Sequence, residues 1–432
     1  MDKYNILIFP AGTEIALEIY NALKYDKYIT LFGGSSVPCH GELVFKNYIE
    51  GFPFINDNNF IEYLNKIIEQ NRIDFIYPAY DDVCLFLTQK QDKINAKVVT
   101  SPLETVEICR SKNKTYEFLK NEDYIPKYYL CKNEVKEYPI FVKPSVGQGS
   151  QGIFVVNSKE ELERITKNNK EYTICEYLPG EEYTIDCFTD KNGKLRACYQ
   201  RTRERVKSGI SVRSTLLTVD DKVKQIAESI NSKLVFNGAW FFQLKRDVNN
   251  NYKLLEIAPR IPGTMSVSRN IGINFPLLTI YNMIGLDIDL IENNYKVLVD
   301  RSLINRFKTD IEYDKVYLDF DDTVYIKDKV NIQLIMFLYQ CVNNNKEIIL
   351  LTKHDGDLDE YLDKYKISRS LFNRIIHIGK DEEKYRYITN NSIFIDDSFA
   401  ERKKIKEKNN IPVFDLNMIE SLIDWRIWSI NE

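Results

Sequence analysis

Residues 316–325 read Val-Tyr-Leu-Asp-Phe-Asp-Asp-Thr-Val-Tyr, so an apolar run ends on Asp319, with Asp321 and Thr323 following at alternate positions. Alternate side chains of a strand share one face, which lets Asp319 and Asp321 project together from the strand end. Their mutual repulsion points to a divalent cation beside them. Three further pieces follow in order. Thr352 ends the apolar run 348–351, a lysine stands at Lys380 or Lys384, and Asp396 and Asp397 end the apolar run 393–395. Phosphoryl transfer needs a nucleophile, positive charge around the phosphoryl oxygens and a proton donor for the leaving oxygen. An aspartate after a strand is also a common helix cap; it is the ordered set of four that favours chemistry.

Over roughly residues 314–432 this set resembles the four motifs of the haloacid dehalogenase phosphohydrolases. The resemblance implies a Rossmann-like domain in which Asp319 attacks phosphorus to give an aspartyl phosphate. It makes Asp321 the group that protonates the leaving oxygen and then activates water. It implies that Thr352 hydrogen-bonds a phosphoryl oxygen and that a lysine screens nucleophile and phosphate. Asp396 or Asp397, with Asp319 and the backbone carbonyl of Asp321, would hold Mg²⁺. Lys384 is preferred to Lys380 because it lies in the helix-like run 382–389, and Asp322 is a bystander in the pattern. Only 28 residues separate Thr323 from Thr352, and 31 separate Thr352 from Lys384. Core elements consume nearly all of both intervals, so little or no cap is expected and the site is open to a large phosphorylated substrate.

A second constellation spans residues 140–156, Ile-Phe-Val-Lys-Pro-Ser-Val-Gly-Gln-Gly-Ser-Gln-Gly-Ile-Phe-Val-Val, in which Gly147, Gly149 and Gly152 spell GxGxxG. A lone match is weak, so the flanks decide. A dinucleotide fold would follow the glycines with a helix, whereas here a strand follows. A protein kinase would place its lysine after the loop, whereas Lys143 precedes it. What remains is a glycine loop between antiparallel strands with a lysine ending the first. Glycines there let backbone N–H groups approach phosphate oxygens closely.

With its flanks, roughly residues 1–300, this region resembles the ATP-grasp superfamily, in particular its carbamoyl-phosphate-synthase-like and peptide-ligase-like members. The resemblance implies ATP with Mg²⁺ or Mn²⁺. Lys112, in Ser111–Leu119, matches the first ATP lysine, with Lys114 the alternative, and Lys143 matches the second. Gly147, Gly149, Ser150 and Gly152 would cradle the phosphates. Backbone groups of Glu176, Tyr177 and Leu178 would pair with adenine, and Glu182 would hold the ribose hydroxyls. Gln243 and Glu256 match the metal ligands, and Arg260 of the sequence Glu-Ile-Ala-Pro-Arg matches the arginine that contacts phosphate and acyl phosphate. Ala258 stands where the family usually has an asparagine ligand to a second metal.

Two neighbouring features bear on substrate. Residues 201–213 carry five arginines and lysines and read as a loop, either solvated or covering an anionic substrate. Asp81 and Asp82, at a strand end, either cap a helix or meet a cationic amine.

The elements that must position these residues follow from periodicity. Residues 4–108 alternate strand and helix, which predicts an open parallel sheet. Residues 109–300 carry mainly strands with a few helices, an α+β layout with antiparallel sheets. Residues 301–313 read as a linker, and 314–432 as the last domain. The net charge of −4, with acids interleaved among the bases, argues against nucleic acid as a partner. No apolar run approaches 18 residues and the chain runs straight into a strand, so neither membrane nor export signal is expected. Eight scattered cysteines and three histidines fit free thiols in a reducing cytoplasm.

Taken together, the residues predict a carboxylate–amine ligase working through an acyl phosphate, fused to a Mg²⁺-dependent phosphomonoesterase. The partners are small molecules, and a homodimer is allowed. The competing readings are a nucleotide-sensing module attached to an active phosphatase, and an acid kinase without an amine acceptor.

Overall fold

The computed structural model describes residues 2–147, 149, 151–167 and 170–428, which divide into two compact units parting between Leu303 and Ile304. The first unit opens with β1 (Tyr4–Phe9), α1 (Glu14–Leu23), β2 (Ile29–Gly34), β3 (Asn47–Ile49), α2 (Phe60–Asn71), β4 (Phe75–Pro78), α3 (Asp81–Gln89) and β5 (Lys97–Val98). These strands form one parallel sheet in the order β3-β2-β1-β4-β5. A parallel sheet is covered on both faces, which explains the unbroken apolar run of β1. Ile6 and Ile8 enter one core, and Leu7 and Phe9 enter the other. Periodicity misses β3, because a three-residue edge strand is too short to show any.

The same unit continues with α4 (Leu103–Arg110), α5 (Lys112–Phe118), β6 (Tyr128–Tyr129), β7 (Ile140–Pro144), β8 (Phe154–Val156), α6 (Lys159–Ile165) and β9 (Tyr172–Glu176). The four strands make an antiparallel sheet ordered β6-β9-β7-β8. Next come β10 (Glu182–Thr189), β11 (Leu195–Thr202), β12 (Arg205–Lys207), β13 (Ile210–Leu217), α7 (Asp221–Lys233), β14 (Gly238–Arg246), β15 (Tyr252–Ala258), α8 (Ser266–Arg269), α9 (Phe275–Met283) and β16 (Leu298–Asp300). The second antiparallel sheet is ordered β12-β13-β11-β10-β14-β15, with β16 on β13. The expected boundary at 108/109 does not separate compact units. Phe275 and Ile280 of α9 share a core with Ile6, Ile19 and Leu31, so one core serves both halves.

Residues 201–213 are not a loop. They finish β11 and form the β12–β13 hairpin. Arg205 and Arg213 are cross-strand partners, a repulsive pair on its own. Asp300 of β16 accepts from both, at 2.5 and 3.2 Å, and makes the pairing possible. Nor is Arg201 solvated: its side chain is 1% exposed and forms a two-armed ion pair with Asp186, which is fully buried, at 2.9 and 3.3 Å. Asp186→Ala strands that guanidinium without its anion. We expect a loss of about 3–5 kcal/mol in urea unfolding monitored by tryptophan fluorescence.

The second unit contains β17 (Lys315–Leu318), β18 (Tyr325–Ile326), β19 (Lys329–Val330), α10 (Ile332–Asn343), β20 (Glu347–Thr352), α11 (Leu358–Lys364), β21 (Arg374–His377), β22 (Ser392–Ile395), α12 (Phe399–Asn409) and β23 (Val413–Phe414). Its sheet is parallel, ordered β21-β20-β17-β22-β23. Val316 and Leu318 pack on one side of β17 and Tyr317 on the other. Side chains cap its helices: Asn331 accepts from Leu334 N at α10, and Ser398 from Glu401 N at α12. Between Thr323 and Thr352 lie only the β18–β19 hairpin, α10 and β20; among the described residues no separately folded cap is inserted.

Candidate active sites

In the first unit a cavity of about 160 Å³ lies beside the glycine loop, and one of about 600 Å³ adjoins it. Lys112, Arg203, Gln243 and Glu256 line both. Lys143 ends β7 buried, its ammonium donating to the Tyr116 hydroxyl at 3.0 Å and the Leu255 carbonyl at 3.1 Å. Tyr116 is itself fully buried and donates to the carbonyls of Leu254 and Leu255. Thus α5 and β15 together fix where Lys143 points. Lys112 starts α5, whose N-cap Ser111 accepts from Lys114 N. Its ammonium lies 4.0 Å from a Glu256 oxygen. Burial first, then the charges of Lys143 and Arg110, pull the Lys112 pKa down against Glu256. Lys114 is exposed.

Gly149 has φ +62°, a conformation that favours glycine, and a Cβ there would crowd the Ser208 carbonyl of the β12–β13 turn at 3.3 Å. Gly147 lines both cavities; Gly152 closes the loop at φ +69°; Ser150 lies outside the described residues. Glu176, Tyr177 and Leu178 line the smaller cavity. The Glu176 carboxylate accepts from Lys127 N at 2.7 Å. Glu182 also lines it, with Arg203 Nε 2.6 Å away. Gln243 and Glu256 are cross-strand partners on β14 and β15 and present two oxygen donors to the same space, which suits a hard cation. Ala258 lines the larger cavity with a methyl group that ligates nothing.

Arg260 lines that cavity too, but it is engaged: Nε and Nη2 donate to the two carboxylate oxygens of Asp81 at 2.5 and 2.8 Å. The guanidinium holds Asp81 below the usual carboxylate range, although burial pushes the other way. Asp82 pairs with Arg110 at 2.6 Å. Both acids sit in the first turn of α3. Of the two alternatives, neither acid is the N-cap of α3, and the place of a cationic amine is taken at each acid by an arginine of this chain. Tyr116 and Arg110 escaped the sequence reading, whereas Arg203 belongs to the cationic stretch 201–213 that it singled out. Tyr116 stands four residues after Lys112, on the same helical face, which was a usable signal.

In the second unit the strand order sets the site. β17 lies between β20 and β22, so Asp319, Thr352 and Asp396 converge at the carboxyl ends of three adjacent strands. Lys384 reaches in from a short 3₁₀ turn and places its ammonium 2.9 Å from Asp319 Oδ1 and 2.7 Å from Asp396 Oδ2. Lys380 instead pairs with Asp355 at the surface. One oxygen each of Asp319, Asp396 and Asp397 lie within 4.8 Å of one another. Burial, with the Asp319 charge, pushes Asp396 up to about 6 against the pull of Lys384. Asp397 is raised by burial and by Asp319. Asp319 Oδ1 makes no well-angled hydrogen bond among the described residues. Three crowded oxygens and one lysine leave an excess of negative charge, the condition a divalent cation relieves.

Thr352 is buried, and its hydroxyl oxygen accepts from His354 N at 3.1 Å. Thr323 bridges to Asp397 through Oγ1. Asp321 Oδ1 accepts from Tyr325 and His354, to neither of which the sequence reading gave a role. Asp322 has φ +49°, so it turns the backbone between Asp321 and Thr323.

Comparison with known proteins bears on the first unit. The family described as ATP-grasp in the biosynthetic pathway with Ter operon matches residues 168–302. The biotin carboxylase domain of Hydrogenobacter thermophilus 2-oxoglutarate carboxylase superposes with a TM-score of 0.57 at 16% identity, over 69% of this chain and 74% of that one. N5-carboxyaminoimidazole synthetase of Staphylococcus aureus, complexed with ADP, gives 0.55 at 17% identity, over 68% and 81%. The first unit has the ATP-grasp fold. Sequence relatives of the ATP-grasp unit include the arginine-specific carbamoyl phosphate synthase large chain of Bacillus subtilis, 25% identical over 241 residues, which are 50% of this chain and 23% of that protein. A D-alanine–D-alanine ligase of Fusobacterium nucleatum is 30% identical over 95 residues, 22% of this chain and 33% of the ligase. The chain thus spans a third or less of the curated relatives it matches. ATP-grasp relatives use ATP with Mg²⁺ or Mn²⁺. Among the described residues no helix is long and apolar enough to cross a membrane.

Proposed function

We propose that the ATP-grasp unit is a carboxylate–amine ligase and that the second unit is a haloacid dehalogenase-like phosphomonoesterase. The observation that supports the first reading is the convergence of Lys112, Lys143, Gln243 and Glu256 on the smaller cavity, beside the Arg260 cavity. ATP would lie in the smaller cavity with its triphosphate toward Lys112 and the glycine loop. The carboxylate of the second substrate attacks the γ-phosphorus, giving an acyl phosphate and ADP. An amine then attacks the acyl carbon, and the C–O bond to phosphate breaks. Lys112, Lys143 and Arg260 stabilise charge on the transferring group. The metal held by Gln243 and Glu256 would neutralise phosphate charge. ADP release that requires both an acid and an amine tests this reading.

In the second unit an Asp319 oxygen attacks phosphorus as the ester P–O bond breaks, and Asp321 gives its proton to the leaving oxygen. Water then attacks the aspartyl phosphate while Asp321 takes the proton back. Lys384 and Thr352 face the phosphoryl oxygens, and Mg²⁺ held by Asp319, Asp396 and Asp397 would offset their charge. Added Mg²⁺ is expected to stabilise this unit. At a hundredfold excess over its Kd the gain is about 2.7 kcal/mol, read as a rise in Tm that EDTA reverses and Asp397→Asn shrinks.

One observation favours a second reading. Ala258 leaves the metal site one ligand short of the family pattern, which suits a nucleotide sensor. Tight ATP binding without turnover in any acid and amine panel would select it.

A further inference from the structure

Asp321 is held by two side chains outside the four-motif set. Its Oδ1 accepts from the Tyr325 hydroxyl at 2.6 Å and from His354 Nδ1 at 2.7 Å. A carboxylate oxygen only accepts, so the Nδ1 proton donates to it. Each donor is fixed by its own surroundings. Asp322, Lys327 and Asp328 all have positive φ, which folds the chain back so that Tyr325 bridges to Asp321 at the start of the β18–β19 hairpin. The Tyr325 ring stacks on Tyr365 at 4.6 Å. Burial, and then the Asp321 carboxylate, push the phenol well above its ordinary pKa, so it remains a donor. His354 is 3% exposed in its side chain. Its amide donates to Thr352 Oγ1, its carbonyl accepts from His377 Nε2, and its ring meets Phe320 and Tyr361 edge-on. Its Nε2 is buried and makes no hydrogen bond among the described residues, so the ring's one polar contact is with Asp321.

Two donors occupy the lone pairs of Oδ1, which leaves Oδ2 as the free oxygen. We propose that Tyr325 and His354 are positioning residues for Asp321: they hold Oδ1 so that the transferable proton resides on Oδ2, the oxygen available to the leaving group. The inference rests on the phosphatase reading. In the first transfer the Asp319 O–P bond forms, the ester O–P bond breaks and the proton passes from Oδ2 to the leaving oxygen. In the second, the water O–P bond forms, the Asp319 O–P bond breaks and the proton returns to Oδ2.

An activated leaving group needs no proton, whereas an alkoxide does, so misplacing the proton is felt only with poor leaving groups. The test uses the full chain with Mg²⁺ and compares kcat/KM, which reports the first transfer, across aryl phosphates of rising phenol pKa and one alkyl phosphate. Tyr325→Phe and His354→Ala should each lose about 100-fold on the alkyl ester and less than about threefold on the most activated aryl ester, the pattern expected of Asp321→Asn in larger degree. His354→Asn, which keeps an N–H donor, should recover most of the loss. Equal losses across all leaving groups, or no loss on the alkyl ester, would overturn the positioning role even where Asp321→Asn behaves as expected. Failure of the unaltered protein to cleave any of these esters would instead remove the phosphatase reading, and this inference with it.

Discussion

Asp319→Asn should abolish phosphomonoester hydrolysis, with a loss of at least about 10⁴-fold, while leaving ATP-dependent ADP formation untouched. The amide oxygen is a poor nucleophile, and the buried neighbouring carboxylate of Asp396 is already tied to Lys384 and Ser398 N. The substitution is nearly isosteric, and Lys384 keeps Asp396 as a partner, so the fold should persist. Hydrolysis of an aryl phosphate with Mg²⁺ gives the readout, beside circular dichroism to check folding.

The reciprocal result is expected at Lys143. Lys143→Ala should lower ADP formation about 10²- to 10³-fold and leave aryl phosphate hydrolysis unchanged. The lysine is held by Tyr116 and Leu255 before any ligand arrives, so its charge is preorganised and its loss is not made good by solvent. Tyr116→Phe is the milder companion. It removes one of the two acceptors and should raise KM for ATP more than it lowers kcat, since Lys143 keeps its charge and its contact with Leu255. Steady-state kinetics on the two variants distinguishes removal of the charge from loosening of its seat.

Much of the second site was legible because parallel strands covered on both faces appear as unbroken apolar runs, and the acids stand where those runs stop. Val316–Leu318, Ile348–Leu351 and Ile393–Ile395 are buried strands, and the polar residue after or at the end of each faces the same edge of the sheet. The glycine loop was legible for a similar reason: its flanking strands excluded the alternatives. What was hidden depends on partners far away in sequence. Asp81 reads as a helix cap or an amine ligand until Arg260, 179 residues on, is brought against it. The cationic stretch reads as a loop, solvated or covering an anion, until Asp186 buries Arg201, and Asp300 neutralises Arg205 and Arg213 from 95 and 87 residues away. The single core joining α1 and α9 is likewise invisible to periodicity, which reports which face is apolar but not what covers it.

The sharpest measurement is hydroxylamine trapping with MgATP and a panel of amino acids and sugar acids, with ADP and hydroxamate quantified together. The account predicts equal amounts of both for at least one acid, preserved in Asp319→Asn and lost in Lys143→Ala. Retention of ATP with neither product formed for any acid, or hydroxamate yields unchanged by Lys143→Ala, would contradict it.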